Sequence, residues 1–182
     1  MREFYQQLGD QRNPNFIFLN PNLVISKMCE VLKVKKTDLL SKEYPNLASI
    51  QAQCQHEIVQ ETKSFFLQNG IDIDKLASQS VHKIGSSRSL IVKNINPSKN
   101  PDQLRKQLSF YGNISRFLMP PNQAVALVRF QTEFEARNAL KHLSNRKFNG
   151  KPLYLSWVPK NVWVQAESQQ LISSQTYSNI DS

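Results

Sequence analysis

Four side chains in the second half of the sequence could bind an anionic or aromatic ligand. They are Lys93, Arg116, Arg129 and Tyr154, and each lies in a short run with the composition of a β-strand. Ammonium and guanidinium groups pair with phosphates, guanidinium planes also stack, and a tyrosine ring can stack on a base. These residue types favour a polyanionic ligand.

No residue pattern typical of catalysis accompanies these side chains. His56, His82 and His142 are scattered without metal-ligand spacing, and the five glycines form no phosphate-binding loop. Glu57 and Glu61 are one helical turn apart, which more often indicates a solvated helix face than an acid–base pair. We therefore expect no enzymatic activity, no cofactor, no metal site and no small-molecule substrate.

The positive charge is concentrated in one segment. The chain of 182 residues has a net charge of +9, and residues 88–160 alone hold 13 Lys/Arg against 3 Asp/Glu. Residues 1–87 are nearly neutral, and residues 161–182 carry no Lys or Arg. A localised basic segment is typical of a domain that binds nucleic acid, although a solvated, soluble surface is the simpler alternative.

Composition also indicates the cellular setting. Cys29 and Cys54 are isolated, which favours two reduced thiols in an intracellular protein. The polar N-terminus does not resemble a secretory signal, and no run approaches the roughly 20 apolar residues of a membrane span. We therefore expect no membrane association.

The basic segment is predicted to form an α+β domain. Residues alternate with period two at 90–95, 114–119, 124–130 and 153–157, which predicts four strands. Asn100 and Pro101 begin one predicted helix, and Thr132 with Glu135 forms the capping box of another. The order βαββαβ predicts a four-stranded antiparallel sheet, ferredoxin-like, with two helices on one face.

A helical N-terminal region is predicted before this domain. Apolar spacing predicts helices at 23–34, capped by Asn22, at 37–40 and at 47–69, ended by Gly70. The apolar stripe of the third helix is interrupted at Thr62 and suits a core or docking face. A linker is expected at 77–88, so the predicted regions are 1–87, 88–160 and a polar, disordered tail at 161–182.

Alternation along the strands assigns side chains to the face that the two helices leave open. The predicted ligand-binding residues are Ile91, Lys93, Arg116, Leu118, Val125, Leu127, Arg129, Tyr154 and Ser156. Ile91, Val125 and Leu127 would form an apolar floor between the charged groups. That floor could meet RNA, or it could be covered by protein such as the N-terminal helices or Val162–Val164.

Residues 89–159 resemble an RNA-recognition motif. The run Leu-Ile-Val-Lys-Asn-Ile at 90–95 matches the family hexamer except for Ile91, at its aromatic position, and Ile95, where the family has Leu. In the octamer at 123–130, Gln123 and Ala124 replace the basic residue and glycine, and Val125 and Leu127 replace the exposed aromatics. The inward residues conform, so the resemblance implies the fold more strongly than the ligand.

A closer resemblance is to the multiple RNA-binding domain proteins of ribosome biogenesis. It is carried by the helical stretch 16–72 and by the runs Arg-Phe-Leu-Met-Pro-Pro at 116–121 and Glu-Ala-Arg-Asn-Ala-Leu at 135–140. That resemblance implies a nuclear, nucleolar protein that binds precursor ribosomal RNA in small-subunit rRNA processing, with ribosome-assembly proteins as further partners. The alternative is a protein-interaction motif, a scaffold in a ribonucleoprotein assembly with its sheet face occluded.

Overall fold

The computed structural model describes residues 16–41, 43–77, 87–97 and 100–164. Most of the predicted linker, and the predicted tail from residue 165 onward, lie outside the described residues.

The N-terminal region is helical, as predicted. Its helices are α1 (Pro21–Leu32), α2 (Lys36–Ser41), α3 (Leu47–Gln68) and α4 (Ile73–Ala77). Asn20, not Asn22, is the N-cap of α1, because its side-chain oxygen accepts a hydrogen bond from the backbone N–H of Asn22. The predicted cap was wrong because Pro21, at the first helical position, already has a helical conformation, which moves the helix start toward the N-terminus.

Gly70 ends α3 as predicted. It has a φ of 73°, and its N–H donates to the carbonyl of Leu67 while the N–H of Ile71 donates to that of Phe66. This pair of bonds is a Schellman motif, which satisfies carbonyls that the helix end leaves open.

The predicted α+β fold is confirmed in the second half of the chain. Its elements are β1 (Ser89–Lys93), α5 (Asp102–Ser109), β2 (Ile114–Leu118), β3 (Ala126–Phe130), α6 (Glu133–Leu143), β4 (Lys147–Phe148), β5 (Lys151–Pro152), β6 (Tyr154–Trp157) and a 3₁₀ turn at Lys160–Val162. The main sheet has the order β2-β3-β1-β6, and all its neighbouring strands are antiparallel.

Helix caps and a tight turn fix the boundaries of several of these elements. The side chain of Asn100 accepts from the N–H of Asp102, and Thr132 forms the predicted capping box with Glu135. A small hairpin of β4 and β5, separate from the main sheet, turns at Asn149 and Gly150, whose φ angles of 48° and 81° suit an Asn-Gly turn.

The sheet separates two apolar cores. The inner core lies under α5 and α6 and is formed by Leu90, Val92, Ile95, Leu104, Leu108, Ala126, Val128, Phe130, Ala136, Ala139, Leu143, Phe148, Leu153 and Leu155. The outer core joins the opposite face of the sheet to α1–α4 and the C-terminal segment. Of the two alternatives for the face that the two helices of the βαββαβ unit leave open, the structure therefore shows cover by the N-terminal helices and the C-terminal segment.

Helix α3 contributes a continuous buried stripe to the outer core. Cys54, Ile58, Thr62 and Phe66 are four residues apart and all at most 1% exposed. Thr62 fits into this stripe because its hydroxyl donates a 2.7 Å hydrogen bond to the carbonyl of Ile58. The second cysteine, Cys29, is half-buried, and both thiols are free.

Candidate nucleic-acid interface

The centre of the outer sheet face is covered. Ile91, Val125 and Leu127 point outward, as alternation predicted, but they are at most 3% exposed and belong to the outer core. Each fully buried aliphatic side chain stabilises the fold by roughly 1.5–3 kcal/mol relative to its exposed state. The apolar floor is therefore integral to the packing between the sheet and the N-terminal helices.

The segment after β6 closes one side of this core. Trp163 is 3% exposed, and its indole N–H donates a 2.9 Å hydrogen bond to the hydroxyl of Ser89 on β1. The backbone continues the contact, since the N–H of Asp72 donates to the carbonyl of Val162 and the N–H of Val164 donates to that of Gly70. The C-terminal segment thus joins the sheet to the chain that follows α3.

Asparagine side chains connect the N-terminal region to the loop after β1. The amide of Asn20 donates a buried 2.9 Å hydrogen bond to Asn94, whose own amide donates to the carbonyl of Pro152 at 2.7 Å. Beside them, Asn22 donates to Asn96 at 3.1 Å. Asn94 has a φ of 59°, a left-handed conformation that asparagine tolerates better than most residues.

A second polar connection lies at the turn between β2 and β3. The side-chain amide of Asn122 is 3.3 Å from a carboxylate oxygen of Glu61 and 3.2 Å from the hydroxyl of Thr62, both on α3. The other carboxylate oxygen of Glu61 accepts a 2.9 Å hydrogen bond from Lys27 on α1. Two helices and the sheet therefore meet at this carboxylate.

Two of the predicted basic residues lie together at one end of the outer face. Arg116 on β2 is the direct cross-strand partner of Arg129 on β3, which in turn is opposite Ser89 on β1. The guanidinium of Arg116 lies 5.0 Å from the centre of the Trp163 ring. This stacking orients one arginine, and a phosphate could offset the repulsion between like charges on neighbouring strands. We call this set the arginine end.

Lys93 and Tyr154 form a second group. They are direct cross-strand partners on β1 and β6, and the ring of Phe18 contacts Tyr154 edge to face at 5.7 Å. Lys93 is half-buried, and burial lowers the pKa of its ammonium group because desolvation disfavours the charged form. We call Phe18, Lys93 and Tyr154 the aromatic end.

The predicted residues thus form two groups instead of one patch. Ser89 and Lys93 mark the two ends on β1, about 13 Å apart at roughly 3.3 Å per residue. Between them lies a row of paired positions, Leu118, Leu127, Ile91 and Ser156. Leu118 and Ser156 are half-buried, so this row offers little open surface.

Sequence reasoning missed Phe18, Asn20 and Asn122 as parts of this surface. None of them lies in an alternating run, so no periodicity marked them. Trp163 had been considered only as a possible cover for the floor, and the structure confirms that role. Among the described residues no group of His, Cys, Asp or Glu could hold a metal ion, and no helix is long and apolar enough to cross a membrane.

The fold defines the class. A four-stranded antiparallel sheet in βαββαβ order is the architecture of the RNA recognition motif. Residues 90–154 match the family model described as RNA recognition motif, so the chain carries a domain of that family of RNA-binding proteins. The resemblance predicted from the two strand sequences is confirmed.

Relatives extend the similarity beyond this domain. The chain is 34% identical over 149 residues, 82% of its length, to Multiple RNA-binding domain-containing protein 1 of Aspergillus fumigatus. It is 28% identical over 163 residues, 89% of its length, to Probable RNA-binding protein 19 of Homo sapiens. This chain spans less than a fifth of each relative, 18% and 17%.

The matched domain spans residues 90–154, and only 28 residues follow it. The alignments of 149 and 163 residues are much longer than these two parts together, so both must include much of the N-terminal helical region. The helices that cover the sheet here are therefore part of what the relatives share with this chain. Among solved structures, the second RNA-binding domain of a hypothetical protein is 32% identical, covers 50% of this chain and 86% of that one, and has a TM-score of 0.41.

Proposed function

We propose that this chain is an RNA-binding module of a ribonucleoprotein assembly and that it contacts precursor ribosomal RNA at the arginine end and the aromatic end. The observation that carries the proposal is the pairing of Arg116 with Arg129 at one end and of Lys93 with Tyr154 at the other, in a domain that matches the RNA recognition motif. The apolar floor between these two ends is buried. RNA would then contact the margins of the sheet and not its centre.

The energetics support a weak, salt-dependent interaction. A base stacked on an aromatic ring contributes roughly 1–3 kcal/mol, and the three usual stacking positions hold aliphatic residues that are buried. The remaining affinity would come from the basic groups of residues 88–160, which hold 13 Lys/Arg against 3 Asp/Glu. Specificity would come partly from neighbouring domains or proteins.

The choice of precursor ribosomal RNA, and of a role in small-subunit rRNA processing in the nucleolus, rests on the resemblance to the multiple RNA-binding domain proteins. Cross-linking in cells and localisation of the tagged chain would test it. Recovery of messenger RNA in place of ribosomal precursors, or a diffuse cytoplasmic signal, would contradict this part of the proposal and leave RNA binding itself intact.

RNA binding is tested by titrating the full chain with an unstructured and a structured RNA at two salt concentrations. We expect Arg129→Gln and Lys93→Gln each to weaken binding and to reduce the slope of log K against log salt by about 0.7 for a single strand. Arg137→Gln, an exposed arginine on α6, is the matched control and should change the slope less. Unchanged affinity and slope in both test variants would refute the proposed contacts.

The second candidate is a protein-interaction scaffold. The occlusion of the sheet face by the chain's own helices favours it, because the usual base-stacking surface is not accessible. This candidate predicts that the folded full chain binds neither RNA, even at low salt. Salt-dependent binding that responds to Arg129 would exclude it.

A further inference from the structure

One aromatic side chain outside the RNA-recognition motif lies on the same surface as Tyr154. Phe18 and Tyr154 have ring centres 5.7 Å apart and ring planes at 90°, and they are 37% and 38% exposed. In this arrangement one ring presents a face beside the edge of the other. A planar ligand could stack on that face and contact the neighbouring edge.

The position of Phe18 is fixed by its neighbours. Phe16, Ile17, Leu19 and Asn20 are all at most 5% exposed, and Asn20 is also held by its hydrogen bond to Asn94. Phe18 is therefore the one exposed side chain in a stretch of five whose other members are anchored. Its ring is therefore held in place beside Tyr154.

The groups around the two rings suit a nucleotide. Lys93 is the cross-strand partner of Tyr154. A cation beside an exposed aromatic pair matches a phosphate and a base better than it matches an apolar peptide.

We propose that Phe18 and Tyr154 together form a stacking site for one base of single-stranded RNA, with Lys93 contacting the adjacent phosphate. This inference rests on the proposed RNA-binding function and names where a base would bind. The N-terminal region would then replace, at the edge of the sheet, an aromatic surface that the motif lacks at Ile91, Val125 and Leu127.

The test uses the full chain and a fluorescein-labelled oligouridine, with affinity measured by anisotropy. We expect Phe18→Leu and Tyr154→Leu each to weaken binding roughly 5- to 100-fold without changing its salt slope, because stacking is not a phosphate contact. Phe18→Trp should retain affinity. The matched control is Phe134→Leu, since Phe134 is a 70% exposed phenylalanine on α6 and should bind as the unmodified chain does.

A second readout distinguishes contact from a merely structural effect. Oligouridine containing 4-thiouridine should cross-link to peptides that carry Phe18 or Tyr154, and thermal unfolding should show that both leucine variants stay folded. If the unmodified chain binds but neither leucine variant weakens binding and neither peptide cross-links, the stacking site is refuted while the proposed function stands. If the unmodified chain does not bind RNA, both are refuted.

Discussion

Lys27 and Glu61 form the ion pair that joins α1 to α3. Their hydrogen bond of 2.9 Å raises the pKa of Lys27, and the bonds from Lys27 and Asn122 lower the pKa of Glu61 below its ordinary value of 4.5. A lowered carboxyl pKa stabilises the fold above the unfolded-state value, and this contribution is lost as pH falls through the folded-state value. The side chain of Glu61 is 47% exposed, so solvent screens the pair.

We therefore expect Lys27→Met to lower the free energy of unfolding at pH 7 by less than about 1 kcal/mol. The difference from the unmodified chain should shrink as the pH falls below the ordinary carboxyl value of 4.5, because Glu61 loses its charge as it is protonated. Urea unfolding at several pH values measures this, with the exposed Lys35→Met as control. If the difference in unfolding free energy did not depend on pH, the ion pair between Lys27 and Glu61 would not be its source.

At the scale of residues, the sequence predicted which way strand side chains point but not which of them reach solvent. Alternation placed Ile91, Val125 and Leu127 outward, and the structure agrees. Their burial depends on helices in another part of the chain, which no local period reports. Phe18 was missed for the same reason, because its role exists only when Tyr154 lies beside it.

At the scale of elements, α6 depends on its first turn. The hydroxyl of Thr132 accepts from the N–H of Glu135, and the Glu135 carboxylate accepts from the N–H of Thr132 at 2.9 Å and from that of Asn113 at 3.0 Å. Gly112 permits this approach, since a Cβ there would lie 2.3 Å from the Glu135 side chain. The cap of α6 thus also fixes the end of the loop before β2.

We expect Thr132→Ala to lower the free energy of unfolding by about 1 kcal/mol, because one N–H of the first turn loses its acceptor. Thr132→Ser keeps the oxygen and should lose much less. Chemical denaturation gives the two values, and hydrogen exchange in the first turn of α6 should accelerate only in the alanine variant. Equal stability of both variants would indicate that the capping bond contributes nothing measurable.

The elements themselves were mostly predictable, because their signals are local. The Thr132–Glu135 capping box and Gly70 each predicted a helix boundary that the structure confirms. The N-cap of α1 was misplaced by two residues, at Asn22 instead of Asn20, since both residues are good caps and Pro21, at the first helical position, selects Asn20.

At the scale of the whole molecule, one sheet supplies a face to each of two cores. Met28 on α1 is fully buried in the outer core, whereas both tryptophans, Trp157 and Trp163, lie in the second half of the chain. Because Trp163 packs in the same core as Met28, damage to a helix should reach the tryptophan environment. The two halves are therefore expected to unfold together.

We expect Met28→Ala to lower the free energy of unfolding by about 2–5 kcal/mol. Tryptophan fluorescence and the helical circular dichroism signal should both shift to lower urea, with coincident midpoints. Val31→Ala is the control on the same helix, because Val31 is 47% exposed. This substitution should change neither the fluorescence midpoint nor the circular dichroism midpoint by much. A fluorescence transition that keeps its midpoint would mean that the halves unfold independently.

The assembly of the two halves was the part that sequence could not settle. The stripe on α3 and the apolar floor of the sheet were each recognised as surfaces that need a partner. Neither pattern indicates that the two surfaces cover each other, because contacts between distant segments produce no periodic signal in the sequence.

A cysteine in the buried stripe of α3 allows opening of the outer core to be followed by alkylation. Cys54 lies in it at 1% exposure, in the same core as the sheet floor, and burial raises the pKa of its thiol. Only an accessible thiolate reacts readily with an alkylating reagent, so the folded chain protects this cysteine. The rate at which Cys54 is alkylated therefore reports how often the helices lift from the sheet. Added RNA that binds only the closed form would lower the alkylation rate of Cys54, and RNA that needs access to the apolar floor would raise it.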